Sequence, residues 1–121
     1  MSHSPEFEAL CQDAKSRIAE TSVAQVLARQ QERVDFVLVD VREDNEWQRG
    51  HVTGAIHLGR GVLERDVIAA IPDKASEIVL YCGGGFRSAL AADNLQKMGY
   101  RKVFSLAGGW KAWIAAGLPT Q

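Results

Sequence analysis

The sequence predicts an α/β fold in which a mainly parallel sheet is covered by helices on both faces. Strand-like and helix-like segments alternate along the chain, which is the pattern of such a sheet. Residues 78–81, Ile-Val-Leu-Tyr, are apolar throughout, as is typical of a strand buried on both faces. With 121 residues, 46% of them hydrophobic, the chain is long enough for one domain with its own core.

Two helices are predicted before the first strand. The first begins at Ser4-Pro5, with proline at the first helical position. Its apolar face is formed by residues at helical spacing, namely Phe7, Leu10, Cys11, Ala14 and Ile18. Thr21 or Ser22 is expected to cap the second helix, which turns Val23, Val26 and Leu27 inward.

Further elements follow in alternation. The strands are predicted at residues 36–41, 55–58, 78–81 and 103–106. Helices are predicted at residues 43–47 with Gly50 as a left-handed cap, at 61–71 before Pro72, from Ser88 to a cap at Gly99, and after Gly108-Gly109, where Trp110 and Trp113 pack into the core.

The loop after the apolar run carries the candidate chemistry. It reads Cys82-Gly83-Gly84-Gly85-Phe86-Arg87, and the next helix is predicted from Ser88. Free N–H groups and the positive dipole end of that helix favour a thiolate and attract an anion. The glycines tolerate positive φ and let N–H groups curl around the sulfur, and Arg87 adds a permanent cation. We therefore expect an exposed nucleophile at Cys82 and a substrate-binding loop over residues 83–88.

Other residues receive secondary predictions. Arg60 lies between two glycines, which indicates an exposed turn that points a cation at the pocket rim. Phe86 is expected to be partly exposed, either as an apolar lip of the pocket or as an anchor of the loop. Structural roles are favoured for two pairs: an ion pair of Asp40 with Arg42, and backbone hydrogen bonds from His51 and His57.

Composition narrows the classes of partner and site. The net charge is −1 and the basic residues are scattered, so no nucleic-acid partner is expected. We expect neither a membrane span nor a secretion signal, and predict a cytoplasmic protein. A disulfide between Cys11 and Cys82 is not expected in a reducing compartment. The three histidines show no ligand spacing with the cysteines, so we predict no metal site and no cofactor.

Several motifs occur together in a recognisable order. They are Asp40-Val41-Arg42-Glu43, then Glu46, then residues 50–57, residues 60–64, residues 81–88, and Gly108-Gly109-Trp110-Lys111-Ala112-Trp113. In this order they resemble the signatures of single-domain rhodaneses, from about residue 18 onward. The resemblance implies a three-layer rhodanese-like fold with a five-stranded, mainly parallel sheet over residues 18–121. Residues 1–17 would then be an N-terminal helical extension that covers a sheet edge or mediates self-association.

The resemblance also implies a persulfide mechanism. The Cys82 thiolate would attack the outer sulfur of a donor such as thiosulfate, release sulfite and become a persulfide. The N–H groups of Gly83, Gly84, Gly85, Phe86, Arg87 and Ser88 would hold the charged sulfur. A second nucleophile would then remove the sulfur. Candidate acceptors are cyanide in an assay, or glutathione, thioredoxin or a sulfur-relay protein.

Three alternatives stay open beside a thiosulfate sulfurtransferase. One is a sulfur carrier or adaptor that receives persulfide sulfur from a partner protein. Another is a non-catalytic rhodanese-like module, although such modules are expected to lose the cysteine that this chain keeps. The third is a phosphatase or arsenate reductase, whose loops have one residue more between the cysteine and the arginine. The shorter loop favours a single sulfur atom over a phosphate.

Overall fold

The computed structural model describes residues 3–121. The strands are β1 (Ala19–Thr21), β2 (Val37–Asp40), β3 (Ile56–His57), β4 (Glu77–Tyr81) and β5 (Lys102–Leu106). The helices are α1 (Pro5–Lys15), α2 (Val23–Gln31), α3 (Asp44–Arg49), α4 (Leu63–Ala70), α5 (Phe86–Lys97) and α6 (Gly109–Ala115). The strands form one sheet in the order β1-β5-β4-β2-β3, and every neighbouring pair is parallel. The predicted α/β fold with a parallel sheet is confirmed.

The central strand β4 explains why the sheet needs helices on both faces. Ile78 and Leu80 pack with residues of α4 and α5. Val79 and Tyr81 point the other way, toward Val26 of α2 and Trp113 of α6. These four apolar side chains of β4 are fully buried, so an alternating strand buries apolar groups in two separate layers.

Helix α1 lies outside these layers and packs against α5. Ser4 caps it, and Pro5 is its first residue, as predicted. Cys11 and Ala14 are buried, which confirms the packing role predicted for Cys11. Helix α1 thus packs on a neighbouring helix, whereas one prediction for this segment was that it covers a sheet edge. Residues 1 and 2 of the predicted extension lie outside the described residues. Within residues 3–121, none of the helices has the length and apolar character needed to cross a membrane.

Strand β1 was not predicted from its residues. It is three residues long, with only Thr21 buried, and it pairs with β5 at the edge of the sheet. An Ala-Glu-Thr segment is too short and too polar to carry a strand pattern. The neighbouring cap is settled as Ser22, whose hydroxyl accepts from the Gln25 N–H in a capping box.

The start of α5 and the conformation of the α3 cap differ from the prediction, beside shifts of one or two residues at the ends of α3 and α4. Helix α5 begins at Phe86 instead of Ser88 because Gly85, with φ of 99°, already serves as the N-cap. Gly50 caps α3 as predicted, but its φ of 145° and ψ of 146° lie outside the left-handed helical region, in a positive-φ region that essentially only glycine adopts. Gly99 follows the C-cap of α5, Met98, and has the positive φ of 102° expected of a glycine that ends a helix.

Candidate active site

Cys82 directly follows β4, at the carboxyl edge of the sheet, where open parallel sheets bind ligands. Its Sγ accepts hydrogen bonds from the N–H of Gly85 at 3.2 Å and from the N–H of Ser88 at 3.3 Å. The hydroxyl of Ser88 lies 3.4 Å from Sγ and 2.8 Å from the hydroxyl of Ser105 on β5. The sulfur therefore sits at the start of α5, surrounded by donors that favour negative charge on it.

Helix α6 holds the loop from the opposite side. The N–H of Trp110 donates to the carbonyl oxygen of Cys82 at 2.7 Å, and the N–H of Lys111 donates to that of Gly83 at 3.1 Å. These bonds turn the first two carbonyls of the loop toward α6. A Cβ at Gly109 would overlap the Cys82 carbonyl oxygen, so this close approach requires glycine. With its carbonyls engaged by α6, the loop can present N–H groups to the sulfur.

The three glycines of the loop have different roles. From the sequence, all of them are expected to allow positive φ and to let N–H groups surround the sulfur. Only Gly85 has positive φ. A Cβ at Gly83 would lie 3.0 Å from Nη2 of Arg87, so Gly83 lets the guanidinium lie against the backbone. At Gly84 a Cβ would meet nothing nearer than the Phe86 ring at 3.9 Å. Of the N–H groups expected to surround the sulfur, those of Gly85 and Ser88 do so in the structure.

The sulfur faces an open cavity of about 410 Å³. The cavity is lined by residues of the loop and of its neighbours: His3, Phe7, Glu46, Cys82, Gly83, Gly84, Phe86, Arg87 and Lys111. Cys82 itself is only 1% exposed, which corrects the prediction of an exposed thiol. The side chain turns inward to meet its N–H donors, so reagents must reach the sulfur through the cavity.

Arg87 is paired with a carboxylate that sequence reasoning did not assign to the site. Its Nη1 and Nη2 lie 2.7 and 3.2 Å from the two carboxylate oxygens of Glu46 on α3. The hydrogen bond from Arg87 lowers the pKa of Glu46, and the carboxylate in turn raises the pKa of Arg87. Glu46 appeared in the sequence only as part of a motif and as an acidic residue of a helix, so nothing there indicated that it would reach Arg87.

Aromatic rings form one side of the cavity. The rings of His3, Phe7 and Phe86 lie within 4.7 to 6.2 Å of one another between centroids, and Nζ of Lys15 lies 4.9 Å from the Phe86 centroid. Phe86 is half-buried, so its predicted partial exposure is confirmed, and it both lines the cavity and anchors the loop against α1. His3 and Phe7 precede every motif of the resemblance, which is why the sequence did not place them here.

Arg60 is not brought to this cavity. Its Nη1 pairs with Glu64 at 3.0 Å, and it lines a separate groove between α1 and α5. The turn that carries Arg60 lies next to the start of α4, and Glu64 in the first turn of that helix forms an ion pair with the guanidinium. The structure therefore gives no support to its predicted place at the pocket rim.

The structural roles predicted for two other pairs are confirmed. Arg42 lies 2.8 Å from the carboxylate of Asp40 through Nη2, and both side chains are buried. His51 contacts the carbonyl of Trp47 at 3.1 Å, and His57 contacts that of Arg42 at 2.8 Å. None of these residues lines the cavity at Cys82.

Comparison with known proteins decides the family. The family model described as rhodanese-like domain matches residues 22–116. The chain belongs to the rhodanese family. Against the thiosulfate sulfurtransferase GlpE of Coxiella burnetii, this rhodanese is 33% identical over 81 residues, which is 67% of the chain and 74% of that protein. Against the thiosulfate sulfurtransferase PspE of Escherichia coli, it is 37% identical over 73 residues, 60% of the chain and 69% of that protein.

Solved structures agree with the fold of this rhodanese. A Rhodopseudomonas palustris protein titled as of unknown function and a possible tyrosine phosphatase is 31% identical with a TM-score of 0.84, covering 100% of this chain and 98% of that one. The polysulfide-sulfur transferase homodimer of Wolinella succinogenes is 28% identical with a TM-score of 0.81, covering 96% and 87%. The names of the sulfurtransferase relatives support sulfur transfer as the class of activity.

Proposed function

We propose that this rhodanese transfers sulfane sulfur from a small anionic donor, such as thiosulfate, through a persulfide on Cys82. The observation that carries the proposal is the position of Sγ. It accepts two backbone N–H groups at the start of α5 and faces a cavity that also contains the Arg87 guanidinium. This arrangement supports both a reactive thiolate and binding of an anion.

In the first step the Cys82 thiolate attacks the outer sulfur of thiosulfate. A bond forms between Sγ and that sulfur, the bond between the two thiosulfate sulfurs breaks, and sulfite leaves with the electron pair. The outer sulfur then carries the negative charge of the persulfide. Arg87 would attract the dianion to the cavity. The N–H groups of the loop, whose dipoles are already oriented toward the sulfur, would stabilise the negative charge of the persulfide.

In the second step an acceptor nucleophile attacks the outer sulfur of the persulfide and regenerates the Cys82 thiolate. Cyanide would serve in an assay, and glutathione, thioredoxin or a sulfur-relay protein are the proposed thiol acceptors. In the first step the Cys82 thiolate attacks without losing a proton, so that step requires no general base next to Cys82.

A sulfur carrier is the second candidate. It rests on a similarity to the putative sulfur carrier protein YrkF of Bacillus subtilis, 33% identical over 76 residues, which are 40% of that protein. The chemistry on Cys82 would be the same, but a partner protein would load the sulfur and thiosulfate would be a poor donor.

Phosphatase chemistry is disfavoured by the acid–base groups at the cavity. A phosphatase needs an acid to protonate the leaving group. Glu46 is the carboxyl group that lines the cavity among the described residues, and its hydrogen bond from Arg87 lowers its pKa. Glu46 is therefore ionised near neutral pH and cannot donate that proton.

Turnover of thiosulfate and cyanide to thiocyanate and sulfite tests the proposal. We expect the wild-type protein to form thiocyanate and Cys82→Ser to form none. Cys11→Ala is the matched control, because Cys11 is the second free cysteine and is a buried residue of α1. Hydrolysis of p-nitrophenyl phosphate without thiocyanate formation would contradict the proposal. Sulfur loading only from a cysteine desulfurase would favour the carrier.

We also propose a cytoplasmic location and a domain boundary. Cys11 and Cys82 are both free thiols, which fits a reducing compartment. Residues 1–17 are proposed as an extension to a domain of residues 18–121, since α1 ends at Lys15 and the first strand of the sheet begins at Ala19.

A further inference from the structure

The N-terminal segment forms part of the cavity that contains the reactive sulfur. His3 and Phe7 line it together with Phe86, and we call these three residues the aromatic wall. The ring centroid of His3 lies 4.9 Å from that of Phe7 and 4.7 Å from that of Phe86. Tilted rings at these separations attract one another, so the wall is a packed cluster rather than three isolated side chains.

The start of α1 is held in a defined conformation. The Ser4 hydroxyl accepts the N–H of Phe7 at 3.1 Å, and Pro5 fixes the first helical φ. Further along the helix, Cys11 and Ala14 are buried against the domain. Phe7 therefore projects from a capped and packed helix.

Polar contacts join the residues that follow α1 to α5. Nη2 of Arg17 lies 2.8 Å from the carboxylate of Asp93, and Nε2 of Gln96 donates to the carbonyl of Arg17 at 2.9 Å. Helix α5 is also the helix whose first turn holds the Cys82 sulfur. Helix α5 thus contacts both the sulfur and the helix that carries Phe7.

The remaining sides of the cavity have a different character. Arg87 and Lys111 supply cationic side chains, and Cys82 supplies the sulfur. A ligand that fills the cavity would meet the sulfur, two cations, one of them paired with the Glu46 carboxylate, and aromatic carbon. Thiosulfate has no apolar part with which to contact the aromatic wall. The family match begins at residue 22, so His3 and Phe7 lie outside it.

We propose that His3 and Phe7 are specificity-determining residues that make the cavity favour a donor with an apolar group attached to its anionic sulfane unit. This inference rests on the proposed sulfur transfer through Cys82 and names the class of donor. The apolar group would pack against the aromatic wall while the charged end faces Arg87 and Lys111.

Benzenethiosulfonate is a suitable probe for this class. The Cys82 thiolate attacks its outer sulfur, so that a bond forms from Sγ to that sulfur and the bond from that sulfur to the sulfonyl group breaks. Benzenesulfinate leaves with the electron pair, and the persulfide keeps the other negative charge. No oxidant or reductant is needed. Methanethiosulfonate has the same reacting group without the ring.

The experiment compares second-order rate constants for sulfur loading onto the reduced full chain. Loading is measured as the increase in the intact mass of the protein with time. Loading from benzenethiosulfonate is divided by loading from thiosulfate and, separately, by loading from methanethiosulfonate. In Phe7→Ala and His3→Ala we expect both ratios to fall about threefold to tenfold, the size of an aromatic contact. Leu10→Ala is the matched control on α1, since Leu10 is 56% exposed and does not line this cavity. Its ratios should not change.

His3→Ala keeps the test valid if Phe7→Ala fails to fold, because His3 is exposed and precedes α1. Ratios that stay constant in both variants, or fall equally in Leu10→Ala, would overturn the inference while leaving sulfur transfer through Cys82 intact. If the wild-type protein loaded sulfur from none of the three donors, the proposed function would be contradicted, and the inference with it.

Discussion

At the scale of single residues, the pairing of Arg87 with Glu46 sets how much positive charge a donor meets. The guanidinium is engaged by both carboxylate oxygens, and the pair lies at the cavity with about a third of each side chain exposed. Under the proposed function, a thiosulfate dianion would compete with Glu46 for Arg87 and be repelled by the carboxylate. The two members of the pair therefore have opposite effects on donor binding.

This competition predicts opposite changes in the KM for thiosulfate. Arg87→Ala should raise KM at least about tenfold, since hydrogen bonds to charged groups contribute about 1.5–3 kcal/mol. Glu46→Gln should lower KM, because it removes a negative charge and frees the guanidinium. The control is Arg65→Ala, whose side chain is 74% exposed and paired on the surface with Asp66. Steady-state kinetics with thiosulfate measure all three, and an unchanged KM in Arg87→Ala would remove that residue from donor binding.

Acid provides a second check on the same pair. The pKa of Glu46 is lowered by its hydrogen bond from Arg87, so the pair stabilises the fold fully above the ordinary glutamate pKa. The contribution is lost as pH falls through the lowered pKa. The free energy of unfolding of the wild-type protein should exceed that of Glu46→Gln by about 1 kcal/mol or less near neutrality. Urea titrations should show this difference vanishing at low pH; a difference that grew there would contradict the pairing.

The chemistry-bearing loop could be predicted at this scale, whereas its partners could not. Cys82, Arg87 and Ser88 lie within a short stretch, so the strand-to-helix pattern alone brings them together. Glu46 reaches the cavity through packing of α3, which a local pattern does not specify. Arg60 shows the converse, because its flanking glycines indicated exposure but not that Glu64 would bind it.

At the scale of secondary-structure elements, α6 determines the shape of the active loop. Its first N–H groups bind the carbonyls of Cys82 and Gly83, and Gly109 has φ of 52° at the point of closest approach. Backbone meets backbone here, with no side chain between. Any Cβ at Gly109 must push the loop away from α6.

Gly109→Ala should therefore lower both stability and sulfur transfer. We expect a loss of about 1–3 kcal/mol in the free energy of unfolding from the strained φ, together with a fall in thiocyanate formation as the loop shifts. The matched control is Gly61→Ala, where a Cβ meets nothing within 4 Å. Urea unfolding and the cyanide assay measure the two effects. Equal behaviour of the two variants would show that α6 does not shape the loop.

The elements themselves were predictable where they are long and apolar. Strand β4 and helix α5 carry apolar residues in the periods of a buried strand and a helix. Strand β1 has three residues and owes its conformation to pairing with β5, a non-local contact that no window of sequence contains. The start of α5 differs from the prediction for a related reason. The sequence pattern assigns Gly85 to the loop, whereas in the structure it is the N-cap of the helix.

At the scale of the whole molecule, Arg42 joins three elements near the active edge of the sheet. Its guanidinium lies 2.8 Å from Asp40 at the end of β2 and donates to the carbonyl of Gly50, after α3, at 2.7 Å. It also lies 4.5 Å from the ring centroid of Trp110 on α6. One buried cation thereby holds α3 and α6 against the sheet, and these helices carry Glu46 and the N–H donors to the loop.

Arg42→Met should be the most destabilising substitution at this edge. It leaves the Asp40 carboxylate, which is 0% exposed, without its guanidinium partner, and breaking a buried ion pair in this way costs about 3–5 kcal/mol. The denaturant midpoint should fall accordingly, up to complete unfolding. Arg65→Met, at a surface pair, should change it by about 0.5 kcal/mol or less. A loss below about 1 kcal/mol in Arg42→Met would contradict the linking role.

The most direct test of the whole account is the mass of the reduced protein after incubation with thiosulfate. We predict a gain of one sulfur atom, about 32 Da, mapped by peptide analysis to Cys82 and not to Cys11. The gain should disappear on addition of cyanide and be absent in Cys82→Ser. A protein that gains no sulfur from any sulfane donor or partner desulfurase, or gains it on Cys11, would contradict the account.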